Sequence, residues 1–122
     1  MNKILIVEDE ISLSNALKDK LSQEGLEIIV AKDGNEGVNL AVQNHPDLIL
    51  LDIMMPKMNG LDVLKALKNN PGLLSIPVFV LTNLPQENTG KIAKDLGAEE
   101  YLVKANLPLG ELVKKIKARL SR

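Results

Sequence analysis

Five short aliphatic runs, each followed by a stretch of helical periodicity, constrain this chain more than any other feature. The runs cover residues 3–7, 26–31, 47–52, 77–81 and 100–103. Apolar stretches of this length, without polar alternation, are the pattern of strands buried on both faces. Between and after them, apolar residues recur about one helical turn apart. Leu13, Leu17 and Leu21 form one set, and Leu61, Leu64 and Leu67 another. The last set is the longest: Leu109, Leu112, Val113, Ile116 and Leu120. Short aliphatic strands alternating with amphipathic helices imply a parallel sheet covered on both faces, with right-handed crossovers.

The punctuation agrees with this pattern. Gly25 and Gly97 stand where helices stop. A helix over 35–44, with Val38, Ala41 and Val42 on one face, ends at His45-Pro46, because the residue before proline avoids helical angles. Asn59 is placed to cap the third helix, and 69–72, Asn-Asn-Pro-Gly, breaks it. Thr89 and Gly90 weaken a fourth helix over 86–96, which is expected to be mobile. Pro108 opens the last helix. Glu27 inside the second run suggests an edge strand. Five strands fit the flavodoxin-like, doubly wound order 2-1-3-4-5 in three α/β/α layers, as one domain over residues 1–122.

Composition removes several functions. Without cysteine there is no disulfide, thiolate metal site or Cys nucleophile, and a single His precludes a His-rich zinc site. Aromatic residues are 2% of the chain, so the core must be aliphatic. A net charge of −1 gives no global attraction to nucleic acid or anionic membrane. No segment is long and apolar enough to span a bilayer, and the amino terminus enters a strand-like run at once, so a soluble cytoplasmic domain is expected. The basic residues Lys114, Lys115, Lys117, Arg119 and Arg122 read as a solvated helix face rather than a nucleic-acid patch.

The strand ends carry the chemistry. The first run stops at Glu8-Asp9, the third at Asp52, the fourth at Thr82 and the fifth at Lys104. All are carboxyl ends, the rim where open α/β sheets bind ligands. In the order 2-1-3-4-5, Asp9 and Thr82 flank Asp52, with adjacent strands about 4.8 Å apart. Lys104 starts two strands away, about 10 Å, a gap that a lysine stem largely covers. Three crowded carboxylates repel unless a cation joins them, and an all-oxygen cluster suits a hard ion, Mg2+ or Mn2+. Mg2+ favours few carboxylates, several waters and a phosphate oxygen, so the site calls for a phosphoryl group. Lys104 and the Thr82 hydroxyl would serve that group, with Asp52 as the nucleophile. Each residue alone has an ordinary explanation: a turn Asp, helix N-terminal acids, a solvated lysine. Their agreement at four strand ends makes the case.

Read together, Val7-Glu8-Asp9-Glu10, Leu51-Asp52-Ile53-Met54-Met55-Pro56 with Gly60, Leu81-Thr82, and 97–104 (Gly-Ala-Glu-Glu-Tyr-Leu-Val-Lys) make the chain resemble the receiver domain of two-component response regulators over nearly its whole length. The resemblance implies that Asp52 accepts a phosphoryl group from the phosphohistidine of a sensor kinase or phosphotransfer protein. It implies Mg2+ bound by Glu8, Asp9, Asp52 and the backbone carbonyl of Met54, with Thr82 and Lys104 on the phosphoryl oxygens. Tyr101 would rotate inward as Thr82 moves, altering a face made by the fourth helix, fifth strand and fifth helix, where an output partner or second receiver binds. A Tyr merely packed at the sheet edge is the alternative.

Three residues depart from the family pattern. Ala105 follows Lys104 where a cis proline is usual, and a trans bond or strained loop is expected there. Asn83 is bulkier than the usual residue after Thr82. Met54 cannot orient an attacking water, so a long-lived phosphorylated form is expected, and an aspartyl-phosphate hydrolase, which needs a second Asp at that place, is disfavoured. Met54, Met55 and Met58 read as loop packing ahead of an adaptable partner surface. A receiver-like binding module that no longer needs phosphate remains a competing reading. A flavin or dinucleotide carrier does not, since Glu8-Asp9-Glu10 would repel its phosphates.

Overall fold

The computed structural model describes residues 2–55 and 59–122; Pro56 of the motif quoted above and Met58, read above as loop packing, lie outside the described residues. The chain runs β1 (Lys3–Val7), α1 (Ile11–Gln23), β2 (Glu27–Ala31), α2 (Gly34–Asn44), β3 (Leu48–Leu51), α3 (Gly60–Asn69), β4 (Val78–Thr82), α4 (Gln86–Asp95), β5 (Glu100–Val103) and α5 (Leu109–Leu120). The five strands form one sheet in the order β2-β1-β3-β4-β5, all pairings parallel. This is the expected doubly wound α/β arrangement, with β2 and its exposed Glu27 at an edge.

Side-chain alternation divides the sheet into two apolar layers. Leu5, Val7, Ile49, Leu51, Val78 and Val80 face α2, α3 and α4, meeting Ala41, Val63, Leu64, Leu67 and Ala93. Ile4, Ile6, Leu48, Leu50, Phe79 and Leu81 face α1 and α5, meeting Leu17, Leu21, Leu112 and Ile116. The core is aliphatic apart from Phe79 and the ring of Tyr101.

Local chemistry sets the helix ends. Asp33 caps α2 by accepting from the Glu36 N–H at 2.9 Å, while the Glu36 carboxylate accepts from the Lys32 N–H at 3.0 Å. Asn59 accepts from the Leu61 N–H at 2.8 Å and caps α3, as expected. Gly25 and Gly97 follow α1 and α4 at φ 83° and 111°, in the region that favours glycine. His45 ends α2 in a left-handed conformation, φ 45°, ahead of Pro46.

Element boundaries depart from the sequence reading by a residue or two. α2 begins at Gly34, because the Asp33 side chain rather than the glycine turn starts it. β4 extends to Thr82, which pairs with Val103. The Lys104–Ala105 bond is trans, and residues Lys104–Asn106 form a single 3-10 turn that no sequence signal announced. Among the described residues, no helix is long and apolar enough to cross a membrane.

Candidate functional site

Register places the polar rim. Val7 pairs with Leu51, and the next backbone bond runs from the Asp52 N–H to the Val7 carbonyl at 3.0 Å. Glu8 and Asp52 therefore leave adjacent strands side by side. Both are buried, at 3% and 5% exposure, whereas Asp9 is exposed. Lys104 follows Val103 at the end of β5, and its stem spans β4 to reach them. Its Nζ lies 2.7 Å from Glu8 Oε1 and 2.8 Å from Asp52 Oδ2.

Each of these carboxylates is also held by backbone. Glu8 Oε2 accepts from the Glu10 N–H at 3.1 Å, and Asp52 Oδ1 accepts from the Met54 N–H at 2.9 Å. The groups line a cleft of about 240 Å³ with Asp9, and Met54 and Asn83 stand at its rim. Burial pushes the Glu8 carboxyl up to about 7, helped by the neighbouring Asp52 charge and opposed by Lys104 and the Glu10 N–H. Burial alone would lower the Lys104 ammonium, but its bonds to Asp52 and Glu8 outweigh that and hold it above the ordinary lysine value.

The acids fit a hard divalent cation. One carboxylate oxygen from each of Glu8, Asp9 and Asp52 lies within 4.8 Å of the others. The donors are all oxygen, and three carboxylates face one ammonium, so negative charge is in excess.

Thr82 is fully buried, and its hydroxyl accepts from the Leu84 N–H at 3.4 Å. Tyr101 is turned inward at 6% exposure, and its hydroxyl donates to the Leu84 carbonyl at 3.0 Å. The side chains of Thr82 and Tyr101 thus meet on one residue of the loop between β4 and α4. Sequence reasoning missed Leu84, because its part is played by backbone atoms. It also missed the Lys104–Glu8 pair, having assigned the lysine to an incoming group. The register of β1 with β3 was the signal that could have found it.

On α5, Lys114, Lys115, Lys117 and Arg119 lie within ion-pair distance of Glu111, Glu100, Glu24 and Glu99 respectively. The Arg119–Glu99 pair is two-pronged, at 2.7 and 3.1 Å. Intramolecular acids therefore answer these basic side chains, in keeping with a solvated helix face.

Comparison with known proteins gives the same picture. A family model described as the response regulator receiver domain matches residues 4–117. The chain is 44% identical over 124 residues to the transcriptional regulatory protein CpxR of Escherichia coli strain K12, covering 100% of this chain and 50% of CpxR. It is 38% identical over 120 residues to the alkaline phosphatase synthesis transcriptional regulatory protein PhoP of Bacillus subtilis, covering 98% of this chain and 49% of PhoP. The chain thus spans about half the length of the curated relatives it matches. Among solved structures, chemotaxis protein CheY4 of Vibrio cholerae superposes with a TM-score of 0.90 at 30% identity, covering 97% of this chain and 98% of CheY4. The chain belongs to the response regulator receiver domains, the phosphoacceptor signalling domains of two-component systems.

Proposed function

We propose that residues 1–122 act as one receiver domain in which Asp52 takes a phosphoryl group from the phosphohistidine of a sensor kinase or phosphotransfer protein. The observation that carries this reading is the meeting of Lys104 with both Glu8 and Asp52 at one rim of the sheet. In the transfer, a carboxylate oxygen of Asp52 bonds to phosphorus as the phosphorus–nitrogen bond to the donor imidazole breaks. The leaving nitrogen keeps the electron pair. Lys104 neutralises charge on the phosphoryl oxygens, and the Thr82 hydroxyl donates to one of them. Glu8, Asp9, Asp52 and the backbone carbonyl of Met54 would hold Mg2+, which when bound supplies further neutralisation of the phosphoryl charge.

Movement of the Thr82 side chain toward the phosphoryl group displaces the oxygen that accepts from the Leu84 N–H. The Leu84 carbonyl holds Tyr101, so the loop and the α4–β5–α5 face respond together. That face presents the change to an output protein or a second receiver. The pairing of the α5 lysines supports a protein partner over nucleic acid, and we take the location to be cytoplasmic. The domain is regulatory and turns over only its own acyl phosphate. Met54 offers no hydrogen bond to a water at the rim, and Asn83 adds bulk, so the acyl phosphate is long-lived.

The test is incubation of wild type and Asp52→Asn with acetyl phosphate and Mg2+, followed by mass spectrometry. A phosphoryl adduct on wild type alone is expected. Equal labelling of both removes Asp52 as acceptor, and labelling of neither leaves a binding module that works without phosphate.

A further inference from the structure

Met54 carries a reactive atom that the signalling chemistry does not use. Its thioether belongs to a residue 51% exposed at the mouth of the cleft, which it lines together with Glu8, Asp9, Asp52 and Lys104. Backbone fixes its place there, because the Met54 N–H donates to Asp52 Oδ1 at 2.9 Å. The neighbouring Met55 is buried, at 9% exposure, so two adjacent methionines differ sharply in access. A thioether is a soft, flexible apolar group that oxidises where solvent reaches it. The product, a sulfoxide, is polar, and its oxygen accepts hydrogen bonds. Oxidation thus puts an acceptor at the rim where the native side chain offers a water nothing to bond.

We propose that Met54 is a redox-sensitive modification site: peroxide converts its thioether to a sulfoxide, which shortens the lifetime of the acyl phosphate on Asp52. The inference rests on reading Asp52 as the phosphoacceptor. In the modification, the Met54 sulfur attacks one oxygen of hydrogen peroxide. A sulfur–oxygen bond forms as the oxygen–oxygen bond breaks, and the departing hydroxide takes the bonding pair. The hydroxide gains the proton carried by the transferred oxygen and leaves as water, so the sulfur is oxidised and the peroxide reduced. The sulfoxide oxygen then accepts a hydrogen bond from a water in the cleft, beside the phosphoryl group, and holds it for attack on phosphorus. Phosphate loss therefore quickens under oxidative conditions, and enzymatic reduction of the sulfoxide restores the slow form.

The experiment treats wild type and Met54→Leu with hydrogen peroxide, removes it, and maps the added oxygen by peptide mass spectrometry. Part of the oxidised wild type is then returned to the thioether with methionine sulfoxide reductases. Every sample, with untreated controls, is labelled with acetyl phosphate and Mg2+, and decay of the phosphoryl adduct is followed by intact mass once the donor is removed. Oxidation of Met54 ahead of Met55 is expected. Oxidised wild type should lose its phosphoryl group roughly five-fold faster than untreated, less than full general acid–base catalysis provides because a sulfoxide only positions the water. Reduction should restore the original half-life, and Met54→Leu should keep one half-life throughout. Oxidation of Met55 before Met54 overturns the site. A half-life unchanged by peroxide, or shortened equally in Met54→Leu, overturns the effect while the adduct leaves the phosphoacceptor reading standing. Failure of oxidised wild type alone to label puts the sulfoxide in the donor's path and likewise overturns it. Absence of an adduct from every sample overturns the phosphoacceptor reading itself. Should Met54→Leu fail to fold, a peroxide time course on wild type decides the matter. A fast-decaying fraction that grows in step with the Met54 sulfoxide supports the proposal, and one that follows another methionine rejects it.

Discussion

Glu8 is where a single residue couples protonation to stability. Its carboxyl, ordinarily near 4.5, is pushed to about 7 in the folded protein. Between those values the folded chain keeps a proton that the unfolded chain has lost. The unfolded state is therefore favoured progressively as pH rises through that window. With chelator present, urea midpoints should fall between pH 5 and 7.5, and Glu8→Gln should flatten the slope. Glu99 acts in the opposite sense. The Arg119 guanidinium lowers its carboxyl, so its contribution is complete above the ordinary carboxylate value and is lost as pH falls below it. Met54 makes a second prediction at this scale. It is 51% exposed at the mouth of the cleft, and Met54→Asn gives a water something to bond. Loss of phosphate from the labelled protein should accelerate roughly ten-fold, below the range of full general acid–base catalysis because an amide only positions the water; an unchanged half-life would remove Met54 from the account of phosphoryl lifetime.

Elements show which parts of the fold could be read from the chain. Every strand and helix was legible because aliphatic runs and helical stripes carry period information, and Gly25, Asn59 and Gly97 mark ends by their own chemistry. The 3-10 turn after β5 was not legible, because nothing in Lys-Ala-Asn distinguishes a tight turn from an open loop. Gly60 entered the sequence reading only as the end of a motif, yet a Cβ there would stand 2.1 Å from the Ile53 Cα. The first turn of α3 lies directly against the backbone just after Asp52, and such closeness is invisible to periodicity. Gly60→Ala should cost about 2 kcal/mol or more in urea unfolding, the range for overpacking against atoms that cannot yield. α4 is the least secured helix by local signals. Its N-cap, Pro85, supplies no side-chain bond, while Gly90 lies buried under the Gln86 side chain. Its amides should exchange with solvent well ahead of those of β1 and β3, and comparable protection would show that packing secures it after all.

Across the whole molecule, strand order carries most of the site. Once β1, β3, β4 and β5 lie side by side, the residues at or just past their carboxyl ends converge, so Glu8, Asp52, Thr82 and Lys104 could be named without coordinates. The bonds among them could not, since the choice of partner for one ammonium among three acids depends on fractions of an ångström. On the opposite rim, α5 is tied to α1 by Lys117–Glu24 and to the start of β5 by Arg119–Glu99. Both pairs are partly exposed, so Arg119→Ala should shift stability by less than about 1 kcal/mol, with a smaller effect at high salt. The chain has one Tyr and no Trp, and that Tyr is hydrogen-bonded to the loop between β4 and α4. Near-ultraviolet emission from the unmodified protein thus comes from a single phenol beside the phosphoacceptor rim, and its intensity offers a label-free optical record of whether that loop has moved.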